Sequence, residues 1–134
     1  MKVLALVCRV LLGLVFVAFG LNGLHQFLPG AMPPRGNPLG DFTGILHDVG
    51  WAQFVAAFQV LGGLLVCFGG TVPFGLCILC PITVNILLFH LLFHATAIPI
   101  FAPGLFVTLL ELVLLYAYRG SFAGVWTTKA KPSL

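Results

Sequence analysis

Charge is scarce in this chain. Charged residues fill 7% of its 134 positions, and only three are acidic. Ordinary soluble domains carry roughly a quarter charged residues, so this composition leaves no material for a separate soluble domain and points to one compact unit, residues 1–134. No internal repeat of useful length is present, and neither a complete metal motif nor a nucleotide motif occurs. A net charge of +3, scattered over six basic residues, offers no basic face for nucleic acid.

Apolar surface takes the place of charge. Hydrophobic residues make up 60% of the chain and gather into four stretches, about 3–24, 51–69, 72–96 and 98–118. Each is about 20 residues or slightly more, the length a helix needs at ~1.5 Å per residue to cross ~30 Å of hydrocarbon. None carries a polar face for water, and a soluble fold of this size cannot bury four such segments. The expected fold is all-α: an integral membrane four-helix up-down bundle, with the lipid bilayer as solvent. Lys2 and Arg9 open the first span, Arg119, Lys129 and Lys131 follow the last, and the loop at 25–50 holds only Arg35. Four crossings place both termini on one side, and the positive-inside bias makes that side cytoplasmic, with loop 25–50 external and tail 119–134 internal. The expected location is the cytoplasmic membrane.

A signal peptide is the competing reading of the N-terminus, since Lys2 precedes an apolar core and Ala18-Phe19-Gly20 resembles a small-x-small cleavage site. The run is too long for that pattern and contains Arg9, so it is read as a span. Trp51 and Trp126 fall at or beyond span ends, where aromatic rings favour the headgroup level. Prolines at 29, 33, 34 and 38 predict an irregular first half of the external loop. Asp41 is expected to cap a short surface helix running to about Val49 and ended by Gly50. Gly13, Gly20 and Gly23 in the first span, and Gly62, Gly63 and Gly69 in the second, are read as close-packing positions.

Cys77-Ile78-Leu79-Cys80 is a CxxC, and Cys8 and Cys67 complete the cysteines. A membrane thiol–disulfide catalyst is one reading. Depth argues against it: all four thiols fall near the cytoplasmic side, which keeps thiols reduced, and the sequence places nothing polar beside Cys77 or Cys80 to activate them. Small packing residues are the preferred reading.

Polar residues inside spans are expensive and each needs a reason. Glu111 is the only acidic residue in any span, eight residues before Arg119, or ~12 Å along a helix. Arg9 stands about as far inside the first span, and the two are expected to pair as a buried ion pair that locks the first helix against the last. A proton-carrying or ligand-binding carboxyl is the alternative role for Glu111. Toward the external side lie Asn22, His25, Gln53, His90 and His94, with Gln59 mid-span; Thr83 is one heptad before His90 on the same stripe. Asn85 is about 140° round the helix from His90 and should face another neighbour. His90 and His94, four apart, can chelate a metal with His25 as third ligand. Three readings stand side by side: interhelical hydrogen bonding, which is preferred, a bound quinone or other small ligand, and a His-bound metal.

Several segments are familiar. Leu12-Gly13-Leu14-Val15-Phe16-Val17-Ala18-Phe19-Gly20-Leu21-Asn22-Gly23 resembles the first-span signature of the DoxX-like membrane proteins, and Val60-Leu61-Gly62-Gly63-Leu64-Leu65 is similar to their second-span Gly-Gly motif. The segment from Pro81 to His90, and Leu110-Glu111-Leu112 through Arg119, also look like that family. The resemblance runs to about Phe122. It implies a four-helix inner-membrane protein, with some relatives linked to quinone-coupled oxidation of sulfur compounds or to membrane complexes that handle oxidative stress. It thus implies an accessory or ligand-binding subunit with a membrane redox partner; a solute or proton carrier and a non-catalytic assembly factor are the other classes. Two departures stand out: Gln59 occupies a position where many relatives carry Glu, and the CxxC is unusual for the plain branch. A reporter fused at Leu134 is expected to read cytoplasmic, and an external reading would overturn the topology.

Overall fold

A computed structural model of the chain describes residues 2–28, 33–93 and 103–126. These residues form helices and the turns between them: α1 (Lys2–His25), α2 (Pro38–Asp48), α3 (Trp51–Cys67), α4 (Val72–Phe93), α5 (Pro103–Ala117) and a terminal 3-10 helix (Arg119–Trp126). No strand occurs among the described residues. Two helices, α1 and α4, are long and apolar enough to cross a bilayer, and α2 with α3 makes a third if the 79° bend between them is a broken span. The α5 helix is apolar but 15 residues long, or ~22 Å.

Local chemistry explains where these helices begin and end. The α2 helix starts earlier than expected and its cap is Asn37, not Asp41. The Asn37 side chain accepts the Gly40 N–H at 2.9 Å, and Pro38 takes the first helical position, where its missing donor costs nothing. Asp41 instead accepts the Gly36 N–H at 3.0 Å. Gly50 does end this segment: its φ of 79° is a left-handed conformation at the bend into α3. The second apolar stretch stops being helical at Cys67, two residues short of Gly69, because Thr71 folds back on the α3 terminus. Its hydroxyl donates to Leu65 O at 2.6 Å and Phe68 O at 3.1 Å.

Packing follows a ring: α1 lies against α3 and α5, and α4 lies against the same two helices. Backbone proximity sets the register. A Cβ added to Gly13 would stand 2.8 Å from Gly63 O and 2.3 Å from Cys67 Sγ, and one added to Gly20 would stand 2.8 Å from Ala56 O. Seven residues forward on α1 therefore meet seven residues backward on α3, so the two run antiparallel. The same construction pairs Gly75 of α4 with Gly62 O of α3 at 3.0 Å. The core between these seams is Leu12, Phe16, Val66, Val72, Leu76, Leu79, Val107 and Leu114, all buried. Many large apolar side chains, such as Leu14, Phe54, Val84 and Leu109, face outward, as lipid-facing side chains do. The packing reading of Gly13, Gly20, Gly62 and Gly63 is what the structure displays; Gly69 sits in the α3–α4 turn against Arg9.

These contacts make a pointed expectation. Gly13→Leu should lower stability in detergent by about 1–3 kcal/mol, because the added side chain meets backbone on α3. Gly70→Ala, with nothing within 4 Å of its Cβ, should leave the unfolding midpoint unchanged.

Candidate functional site

Helix α5 turns Glu111 inward to face α4. Glu111 is 4% exposed and Thr83 is 2% exposed, and Cys80, one turn before Thr83, is half-buried beside them. The thiol and the hydroxyl lie within electrostatic reach of the carboxyl. Neither Glu111 Oε1 nor Thr83 Oγ1 completes a hydrogen bond of ordinary geometry. A buried carboxyl, hydroxyl and thiol thus meet inside an otherwise apolar interface. The register explains it: Gly104 of α5 packs on His90, and seven residues along α5 Glu111 meets Thr83, seven residues back on α4.

The expected Arg9–Glu111 pair does not form. Among the described residues the only ion pair is Arg35 with Asp48, on exposed surface at the α2 end. Arg9 does not reach across to Glu111. Its guanidinium extends toward the helix end, where Nη1 would stand 2.8 Å from a Cβ on Gly69, and it shares a cavity with Tyr118 and Arg119. The long arginine stem lets the charge move toward the end of the helices, whereas the short Glu111 side chain stays between α4 and α5.

The polar residues expected toward the external side lie in separate surroundings. Asn22 is buried, but its Oδ1 accepts the Leu28 N–H at 2.8 Å and so ties down the chain after α1. His25 is exposed. Asn85 is exposed as well, and its amide donates to Pro81 O at 2.8 Å within its own helix. His90 keeps Nδ1 on Ile86 O at 2.7 Å and packs against Gly104. Gln59 is half-buried on α3. Of these candidate ligand-binding residues, Asn22, Asn85 and His90 each make a local hydrogen bond with nearby backbone. His94 lies outside the described residues. Among the described residues no three His, Cys, Asp or Glu side chains gather as a metal would require.

The cysteines divide by environment. Cys8 is buried in the core and Cys67 packs its sulfur at Gly13, as small packing residues do. Cys77 is exposed on α4. Cys80 has Glu111 and Thr83 as polar neighbours, which corrects the expectation that nothing polar lies beside it. All four are free thiols.

One polar cluster has no sequence signature. His47 near the end of α2 meets the Gln26 amide and, at 3.1 Å, the Gln53 amide, while Gln53 Oε1 is buried without a partner. The three residues are brought together by the bend at Gly50 and the left-handed Gln26, φ 49°, neither of which a hydropathy pattern encodes. A helix expected at this position was the only available hint.

Compared with known proteins, the chain matches no family model, no curated protein and no solved structure. A double-mutant cycle tests the site geometry. Arg9→Met with Glu111→Leu should be additive within about 0.5 kcal/mol in unfolding experiments, whereas Thr83→Val with Glu111→Leu should couple by roughly 0.5–3 kcal/mol. Strong Arg9–Glu111 coupling would restore the ion-pair lock.

Proposed function

We propose that this chain is a four-span, DoxX-like bundle of the cytoplasmic membrane that serves a quinone-linked redox system as an accessory, ligand-holding subunit. The observation that carries the reading is the Cys80–Thr83–Glu111 cluster, a polar site inside the apolar α4–α5 interface where no cation among the described residues pairs with the carboxyl. A buried charge of that kind costs several kcal/mol, so such a carboxyl is retained where it performs a task. A quinone suits the site chemically: its tail belongs among lipid-facing side chains, and its carbonyl oxygens accept hydrogen bonds from a hydroxyl, thiol or carboxylic acid. Half-buried Cys80 marks the side of the site nearest the surrounding lipid.

The four-span arrangement is supported by the ring of antiparallel contacts, in which α5 completes the set although it is shorter than a full span. Internal termini are supported by the basic residues: Lys2, Arg9 and Arg119 gather at one end, and Arg35 stands alone with Asp48 on the other. The resemblance to DoxX-like proteins contributes the redox association. The same uncompensated Glu111 favours a second reading, a proton or small-solute carrier, in which the carboxyl binds and releases its cargo. Gln59 supplies no titratable group for either role.

Two measurements separate these readings. Native mass spectrometry of the protein from mild detergent should show a retained quinone, and Glu111→Leu should weaken retention roughly tenfold while Asn85→Ala leaves it unchanged. Solute or proton flux in liposomes that depends on Glu111, with no quinone retained, would replace the redox role by the carrier role.

A further inference from the structure

A cavity of about 450 Å³ opens between the first turns of α1 and the end of α5. Lys2, Arg9 and Arg119 line it together with Tyr118, and Ala5 and Leu6 form an apolar wall. Half of the chain's six basic residues thus face one space. No acidic side chain answers them. The chain has three acidic residues: Asp41 and Asp48 lie on α2, Asp48 paired with Arg35, and Glu111 faces Thr83 and Cys80.

Arg9 is the informative member. Its Nε is buried and has no hydrogen-bond partner. A buried guanidinium donor without an acceptor is costly, and a planar donor array of this kind matches phosphate oxygens in pairs. Arg119 is already engaged on α5, where it donates to Tyr116 O at 2.9 Å and stands 4.4 Å over the Tyr116 ring, so Arg9 and Lys2 hold the free donor capacity. The N-terminal end of α1, a helix of 24 residues, adds the positive pole of its dipole to the same space.

We infer that this cavity binds a net-anionic phosphate group, with half-buried Arg9 as the anchor and Lys2 and Arg119 as its rim. The phosphate belongs either to the headgroup of an anionic lipid, whose acyl chains would lie along the outward-facing side chains of α1, or to a soluble phosphate. The site is separate from the Cys80–Thr83–Glu111 cluster and does not depend on the redox reading. It also gives Arg9 a partner that Glu111 does not provide.

The test uses the full chain in mild detergent, titrated with short-chain phosphatidylglycerol, short-chain phosphatidylcholine or inorganic phosphate, and read by native mass spectrometry and thermal shift. Phosphatidylglycerol binding, weakened by added salt and by roughly fivefold for each charge removed, is expected for Arg9→Gln and for the double variant Lys2→Gln/Arg119→Gln. Arg35→Gln, at the other end, should bind as the unaltered chain does. Binding of inorganic phosphate with the same Arg9 dependence, and none of phosphatidylglycerol, identifies a soluble phosphate as the ligand. If Arg9→Gln fails to fold, the double variant decides, because Lys2 and Arg119 are exposed. Equal affinity for phosphatidylcholine, or variants that bind as tightly as the unaltered chain, would overturn the assignment.

Discussion

Close backbone approach between α1 and α3 governs the arrangement of everything else. In a hydrocarbon solvent, burying leucine against leucine gains little over leaving it in lipid, so association relies on contact at short range. Gly13 against Gly63 and Gly20 against Ala56 supply that contact, and they allow only one antiparallel register. Gly75 against Gly62 repeats the device between α3 and α4. With three helices so placed, α5 closes against α4 and α1, and the depth of each polar group follows.

Those depths explain why Arg9 and Glu111 belong to different parts of the protein. A carboxyl on a short side chain cannot leave the α4–α5 interface, and it meets the hydroxyl and thiol that the register sets opposite. The arginine has a long flexible stem and carries its charge toward the helix ends, where Lys2 and Arg119 already concentrate positive potential. An acidic group locked away from the basic end leaves that end uncompensated. Two chemically distinct sites result: Cys80, Thr83 and Glu111 form a polar cluster within the helices, and Lys2, Arg9 and Arg119 form a cationic one at their end.

The opposite end is built differently. There α2 lies across the bundle after a bend of 79°, and Phe42 stacks on Phe93 of α4 with ring centroids 5.5 Å apart. Arg35 packs over Gly44 and pairs with Asp48, an exposed ion pair of little energetic weight. The His47, Gln26 and Gln53 contacts join the loop, α2 and α3 into one hydrogen-bonded cap. Local pairing on this side and unpaired cations on the other make the ends electrostatically unlike.

Much of this was legible in residue order alone. Apolar runs at α1 and α4, the turn at Gly50, the glycine packing positions and the shared Thr83–His90 stripe all follow from hydropathy, periodicity and backbone stereochemistry, which are local properties. Partner choice is not local. Placing Arg9 opposite Glu111 assumed that equal distance from a helix end means contact, whereas contact also requires the two side chains to point at each other. Rotation of α5 about its axis directs Glu111 to Thr83 and Cys80, and no one-dimensional pattern encodes that rotation. The same applies to Asn22 and Asn85, both candidate ligand-binding residues, whose amides bond to nearby backbone instead. Sequence determined that these helices are apolar and where they can approach closely, because composition and side-chain size are written residue by residue. Tertiary structure alone decided which polar groups meet, because that depends on helix register and rotation, set jointly by contacts among segments far apart in the chain.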